Sequence, residues 1–200
     1  EVIPLTSGKK NGKFSFFDEL KKIFQKNRFL LKNGDVIVIS SKFVSISQGR
    51  VLNINKSNVC NKAKEISKKF QSNDKFMEIV FRESDEIIGG VAGFVMSTTN
   101  GILAPNAGID KSNSKGTEVV LYPDEPYKFA EDLKRKLFLE SKIHVGVIIV
   151  DSRLMPTRIG TTGVTIACAG IEPTKDLRGN KDLDGNPLKV TFQATADNLA

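Results

Sequence analysis

Residues 145–152 read Val-Gly-Val-Ile-Ile-Val-Asp-Ser, an apolar run that ends on a carboxylate and a hydroxyl. Short runs rich in β-branched residues and bounded by polar residues are typical of buried strands. Open α/β sheets bind ligands beyond the carboxyl ends of their strands. This stretch therefore predicts a strand that ends in a ligand crevice lined by Asp151 and Ser152. The alternative is that Asp151 merely caps the following turn.

Outward from this run, short apolar segments and segments with helical spacing follow one another along the chain. Further strands are predicted at residues 36–39, 91–96, 119–121 and 164–168. Helices are predicted where apolar residues recur every three or four positions, at residues 16–24, 77–88 and 129–138. Asn100-Gly101 predicts a two-residue hairpin, because both central positions of a type I′ turn need positive φ. We expect one α/β domain over residues 1–200, of mixed α+β type, with a partly antiparallel sheet covered by helices.

Composition limits the class of protein. The net charge of +7 favours anionic partners such as phosphates and carboxylates. The chain has no arginine-rich tail and no RNP-like aromatic motif, which argues against nucleic acid as the partner. No apolar run approaches the roughly 20 residues of a membrane span, and no export signal opens the sequence. We therefore expect a soluble cytoplasmic protein without a membrane partner.

The cysteines and the histidine favour structural roles. Cys60 and Cys168 lie far apart without a C-x-x-C spacing, which predicts neither a disulfide framework nor a thiolate zinc site. His144 is the single histidine, so it has no second histidine with which to share a metal. We interpret it as structural, which argues against a Ser-His-Asp hydrolase.

Residues 106–113, Asn-Ala-Gly-Ile-Asp-Lys-Ser-Asn, concentrate amide, carboxylate, ammonium and hydroxyl groups after a predicted strand. The segment is either a site loop or an Asx-type turn whose side chains satisfy local backbone groups. Hard cations such as Mg²⁺ and Mn²⁺ prefer oxygen ligands. Asp110, Asp151 and Ser152 could therefore hold a phosphate-bound metal together.

Two long polar connections are predicted, at residues 151–163 and 172–187. In the first, Arg158 could clamp an anion bidentately beside Gly160 and Gly163, which allow close backbone approach. The second imitates the start of a calcium loop, but Thr191 stands where a bidentate glutamate is required, which excludes that reading. The chain contains no G-x-x-x-x-G-K-[ST] motif, so a nucleotide would bind without a P-loop.

Taken in order, these segments resemble the F420-0:gamma-glutamyl ligase family across nearly the whole chain. The matching blocks are GDVIVISSKFVSISQGR (34–50), VFRESDEII (80–88), NAGIDKSN (106–113), VGVIIVDS (145–152), RIGTTGVTIACAG (158–170), DLRGNKDLDG (176–185) and LKVTFQATADNLA (188–200). None of them is a generic motif, and seven ordered blocks are hard to obtain by chance.

The resemblance implies a GTP-dependent ligase that joins L-glutamate to the deazaflavin precursor of coenzyme F420, through an acyl phosphate, with release of GDP and phosphate. It implies divalent metal, Mg²⁺ or Mn²⁺, with K⁺ as an additional candidate, and a homodimer. The metal ligands implied are Asp110, Asp151 and Ser152. The nucleotide contacts implied are Ser41, Lys42 and Asn113.

The chain departs from the family pattern at three places. Ile46 stands where the family has a nucleotide-contacting lysine, and Gln48 stands where it has an acidic residue. The sequence ends at Ala200, before the family's C-terminal segment, so either the sequence is incomplete there or the chain is a divergent member that lacks this segment. Ile46 is the main reason to keep two alternatives open, an amide ligase for another carboxylate and a non-catalytic nucleotide-binding paralogue. A basic phosphate-binding or RNA-associated module is a third, non-enzymatic alternative.

Overall fold

The computed structural model describes residues 1–10, 12–111, 117–154 and 159–200. It divides the chain into two compact units. The first unit comprises Glu1–Asn27 and Ser41–Asp124, and the second comprises Arg28–Ser40 and Glu125–Ala200. Helices and both parallel and antiparallel strands are present, so the mixed α/β class is confirmed. The expectation of one domain stays a prediction.

The elements alternate along the chain. The helices are α1 (Phe16–Lys26), α2 (Ser41–Gln48), α3 (Asn61–Lys69), α4 (Asp74–Glu83) and α5 (Pro126–Ser141). The strands are β1 (Val36–Ser40), β2 (Val51–Asn53), β3 (Glu86–Val91), β4 (Phe94–Thr99), β5 (Ile102–Pro105), β6 (Glu118–Val120), β7 (Gly146–Leu154), β8 (Thr161–Ala169), β9 (Lys175–Asp176) and β10 (Phe192–Gln193). None of the helices in the described ranges is long and apolar enough to cross a membrane.

In the first unit, β3, β4 and β5 form an antiparallel sheet, and β2 pairs with β6. The Asn73 side chain caps α4 by accepting a hydrogen bond from the Phe76 N–H at 3.0 Å. The apolar face of α4 then packs into a core with α3 and the strands. The core includes Ile66, Phe70, Phe76, Met77, Val80, Val95 and Val119.

The hairpin prediction is confirmed. Asn100 and Gly101 have φ of 51° and 71°, and the flanking residues Thr99 and Ile102 are paired.

Two boundary predictions were wrong. Residues 91–96 are not one strand, because the chain turns at Gly93 and pairs Val91 with Phe94. The helix predicted at 77–88 ends at Glu83, after which the chain enters β3.

In the second unit, β7 is the central strand of a three-stranded sheet. It pairs in parallel with β1, with Val36 opposite Gly146, and antiparallel with β8. Helix α5 packs on β7 and β8. Val147, Ile148 and Ile149 have no exposed surface, which is the expected result for a strand covered on both faces.

The predicted connection at 151–163 was wrong at both ends. Strand β7 continues through Asp151 to Leu154, and β8 begins at Thr161, with Leu154 opposite Thr161. Polar residues can extend a strand because cross-strand backbone hydrogen bonds do not depend on side-chain polarity. Strand β7 therefore ends at Leu154 and β8 begins at Thr161.

Candidate functional site

Ser41 and Lys42 open α2 directly after β1 ends at Ser40. Ser41 is buried, whereas the Lys42 side chain is 27% exposed. The first turn of α2 contains no acidic side chain. The dipole of a helix is positive at its N-terminus and favours anions there, so this turn is suited to a phosphate.

The segment that leads to Asp110 is an unusual turn. Asn106, Ala107 and Gly108 have φ of 49°, 56° and 66°, three consecutive left-handed residues. Side chains hold this turn: Asn106 Oδ1 accepts from Val95 N at 3.0 Å, and the buried Ser97 hydroxyl accepts from Ala107 N at 3.0 Å. Asn106 thus satisfies a backbone N–H eleven residues away in sequence, which is not the local contact of an Asx-type turn.

Asp110 follows this turn on a fixed backbone. Its N–H donates to Val120 O and its carbonyl accepts from Val120 N, both at 2.9 Å. Its carboxylate, 35% exposed, forms an ion pair with Lys42 through Oδ2 and Nζ. The structure thus joins a predicted nucleotide contact to a predicted metal ligand. Sequence reasoning did not connect these two residues.

Lys111 is held by a different neighbour. Its Nζ lies 3.2 Å from the centroid of the Phe76 ring on α4, a cation–π contact. Burial lowers the pKa of Lys111 from its ordinary value. Asp110 and Lys111, although adjacent in sequence, therefore contact different helices: Asp110 contacts α2 and Lys111 contacts α4.

The two family departures in α2 have different surroundings. Ile46 lies one helical turn after Lys42, so the two side chains share a face of the helix. Gln48 binds the backbone of Asp124 twice: its Nε2 donates to the carbonyl at 2.8 Å, and its Oε1 accepts from the N–H at 2.9 Å. A carboxylate at position 48 could accept the second bond but could not donate the first.

Asp151 and Ser152 lie inside β7, opposite Val164 and Gly163. The prediction that Asp151 ends the strand was wrong, and so was the alternative that it caps a turn. Consecutive residues of a strand present their side chains to opposite faces. A metal at the Asp151 carboxylate would therefore not meet the Ser152 hydroxyl on the same face in this conformation. Their joint role stays a prediction.

Two other predicted site residues, Asn113 and Arg158, lie outside the described residues. Within the described ranges, no group of three or more His, Cys, Asp or Glu side chains is placed to hold a metal ion. Asp110 nevertheless suits Mg²⁺ or Mn²⁺, because its partly exposed carboxylate supplies oxygen ligands and already attracts a cation, the Lys42 ammonium.

The structural interpretations of the histidine and cysteines fit what is observed. The His144 ring packs on Phe138 with centroids 4.6 Å apart, and the His144 backbone N–H donates to Asn33 Oδ1 at 2.8 Å. Cys60 and Cys168 are both free thiols.

The chain is similar in sequence to known glutamate ligases over most of its length. The coenzyme F420:L-glutamate ligase of Methanopyrus kandleri is 32% identical over 171 residues, which are 85% of this chain and 68% of that protein. The protein of the same name from Archaeoglobus fulgidus is 33% identical over 183 residues, 92% of this chain and 73% of the relative. That from Methanococcus maripaludis is 36% identical over 172 residues, 85% of this chain and 68% of the relative.

These similarities make the chain a ligase of the class that forms carbon–nitrogen bonds. Within that class it belongs to the F420-0:gamma-glutamyl ligase family, whose model matches residues 13–200.

Proposed function

We propose that the chain joins L-glutamate to the carboxylate of the deazaflavin precursor of coenzyme F420, with GTP as the phosphoryl donor. Family membership and the names of the relatives support the glutamate and precursor substrates. On this chain, the observation that carries the proposal is the ion pair of Lys42 with Asp110. It brings a cation suited to phosphate next to an oxygen ligand suited to a divalent metal.

The chemistry needs both kinds of group, because a carboxylate is a poor acyl donor until it is phosphorylated. In the proposed reaction, a precursor carboxylate oxygen attacks the γ-phosphorus of GTP, the bond to the bridging oxygen breaks, and GDP leaves. The glutamate amine then attacks the acyl carbon, loses a proton and expels phosphate. Bound Mg²⁺ or Mn²⁺ would neutralise charge on the phosphates.

The residues of the chain take the following roles in the proposal. The first turn of α2, with Ser41 and Lys42, binds phosphate oxygens. Asp110, whose backbone is held by Val120, would hold the divalent ion through its carboxylate. Asp151, Ser152 and Asn113 keep the roles that the family resemblance implies, and Arg158 keeps the anion-clamp role predicted from its glycine-bearing loop.

The test is incubation of the purified protein with precursor, L-glutamate, GTP and Mn²⁺, followed by mass analysis of the deazaflavin. A mass increase of one or more glutamyl units is expected, and it should fall strongly when ATP replaces GTP. Asp110→Asn should remove most product. Asp132→Asn is the matched control, because Asp132 pairs with Arg135 on the exposed surface of α5 and should leave turnover unchanged.

Ile46 favours a second candidate, an amide ligase for a different carboxylate. An apolar residue on the Lys42 face of α2 alters the surface that the family uses for nucleotide. Metal-dependent GTP binding without any glutamylated deazaflavin would support this candidate and exclude the first.

We also propose the homodimer and the use of K⁺ that the family resemblance implies, and the cytoplasmic location expected from the sequence. Light scattering on the purified protein tests the oligomeric state. Turnover in K⁺ against Na⁺ at equal ionic strength tests the ion. Fractionation of cells that express the native gene tests the location.

A further inference from the structure

We propose that Lys42 and a divalent metal compete for Asp110, so that the nucleotide-free protein holds its metal weakly and nucleotide phosphate relieves the competition by drawing Lys42 away. The inference rests on the proposed function for the identity of the phosphate ligand. The competition itself concerns residues described in the structure and needs no substrate.

The ion pair places the ammonium where a cation would bind. Lys42 Nζ contacts Asp110 Oδ2, and the two side chains are 27% and 35% exposed. A metal that approaches this carboxylate must share or displace the ammonium. The metal ion and the ammonium are both cations and repel each other. This repulsion is screened less at a partly buried site than in bulk water.

The lysine is the partner that can move. Asp110 is fixed by two backbone hydrogen bonds to Val120 and follows the left-handed turn at residues 106–108. Lys42 carries its charge on a flexible four-carbon stem. A second anion within reach, such as a phosphate at the first turn of α2, can therefore take the ammonium further than the short Asp110 side chain, on its fixed backbone, can follow.

Ile46 strengthens this dependence. Helix α2 carries one cationic side chain, Lys42, and the family's second lysine is replaced by Ile46 on the same face. One ammonium on this helix must serve both Asp110 and the phosphate. Binding of metal and nucleotide is then coupled through Lys42, and the coupling acts equally in both directions.

The experiment is a titration with Mn²⁺ alone, without nucleotide, in which free Mn²⁺ is followed by electron paramagnetic resonance. Lys42→Met and Lys42→Gln should bind Mn²⁺ about three- to tenfold more tightly than the wild type, since a partly buried competing cation is removed. Lys62→Met is the matched control. It removes the same charge from an exposed i,i+3 pair with Glu65 and should leave Mn²⁺ affinity unchanged.

A double variant shows where the effect acts. If the gain arises at Asp110, adding Lys42→Met to Asp110→Asn should give no increase in Mn²⁺ affinity. Circular dichroism spectra confirm that each variant is folded. The inference is overturned if both Lys42 variants bind Mn²⁺ no more tightly than the wild type, if Lys62→Met gains equally, or if none of the proteins binds Mn²⁺.

The outcome is independent of the ligase assay. A gain in Mn²⁺ affinity in a protein that makes no glutamylated product supports the competition and contradicts the proposed function. Product formation by the wild type, without any gain in Mn²⁺ affinity in the Lys42 variants, supports the proposed function and contradicts the competition.

Discussion

Replacement of Gly108 by alanine should destabilise the protein through two separable effects. Gly108 has φ of +66°, where an L side chain costs about 1–2 kcal/mol. A Cβ at this position would lie 2.4 Å from Cδ2 of Tyr122, which is 2% exposed, and 3.2 Å from its Cε2. Overpacking of this kind typically costs about 1–3 kcal/mol.

These costs are partly offset, because alanine has fewer unfolded conformations than glycine, an effect of about 0.4–1 kcal/mol. The net loss in the free energy of unfolding is about 1–5 kcal/mol. For a chain of this length, that corresponds to a fall in Tm of about 2–20 °C. Urea unfolding followed by circular dichroism at 222 nm measures the free energy, and a thermal melt gives Tm.

Gly93→Ala is the matched control. Gly93 lies in the same unit with φ of +76°, but a Cβ there would meet nothing within 4 Å. It should show the backbone cost alone, about 0–1.6 kcal/mol after the offset. If Gly108→Ala is no less stable than Gly93→Ala, Tyr122 does not pack against Gly108 and the reasoning fails.

Three further predictions concern single contacts. The Glu78 side chain is 2% exposed, and a hydrogen bond from the Cys60 backbone N–H at 2.8 Å, together with Arg82, lowers the pKa of its carboxyl despite burial. The ionised carboxylate should therefore stabilise the fold above the ordinary carboxyl pKa, and this contribution should be lost as pH falls through the lowered pKa. Glu78→Gln should cost about 1.5–3 kcal/mol at pH 7 and flatten the acid side of a stability–pH profile measured by urea unfolding. Gln48→Glu should cost about 1 kcal/mol in a urea melt at pH 7, because the donor to the Asp124 carbonyl is lost; unchanged stability would mean that this bond is not formed in solution. Ile46→Lys should tighten GTP binding in a calorimetric titration at low salt by about 1–2 kcal/mol, and no gain would place this side chain away from the nucleotide.

Local signals predicted the elements whose cause is local. The Asn100-Gly101 turn, the apolar face of α1 and the run at residues 145–150 depend on residues close in sequence, and all three are found. The end of β7 was missed because its polar residues are held by backbone bonds to β8, which residue type does not reveal. The turn at Gly93 was missed although its glycine is a recognised turn signal, since the apolar residues on both sides look like one strand.

The candidate site shows the same contrast between what local sequence predicts and what tertiary packing decides. The family resemblance supplied Lys42 and Asp110 separately, and no spacing rule relates them. Their contact exists because α2 lies beside the segment that Val120 holds in place. Likewise, the two hydrogen bonds between the Gln48 side chain and the Asp124 backbone join residues 76 positions apart. Contacts of this kind depend on tertiary packing, which the pattern along the chain does not encode.

The pairing of β1 with β7 has a consequence for synthesis of the protein. Val36 is opposite Gly146, so β1 leaves the ribosome 110 residues ahead of its partner. At a translation rate of about 5–20 residues per second, this apolar strand waits about 6–22 s before β7 is available. An unpaired strand edge is open to other chains during that interval. We expect the nascent protein to depend on chaperones most strongly between synthesis of β1 and synthesis of β7, which makes expression temperature a sensitive determinant of soluble yield.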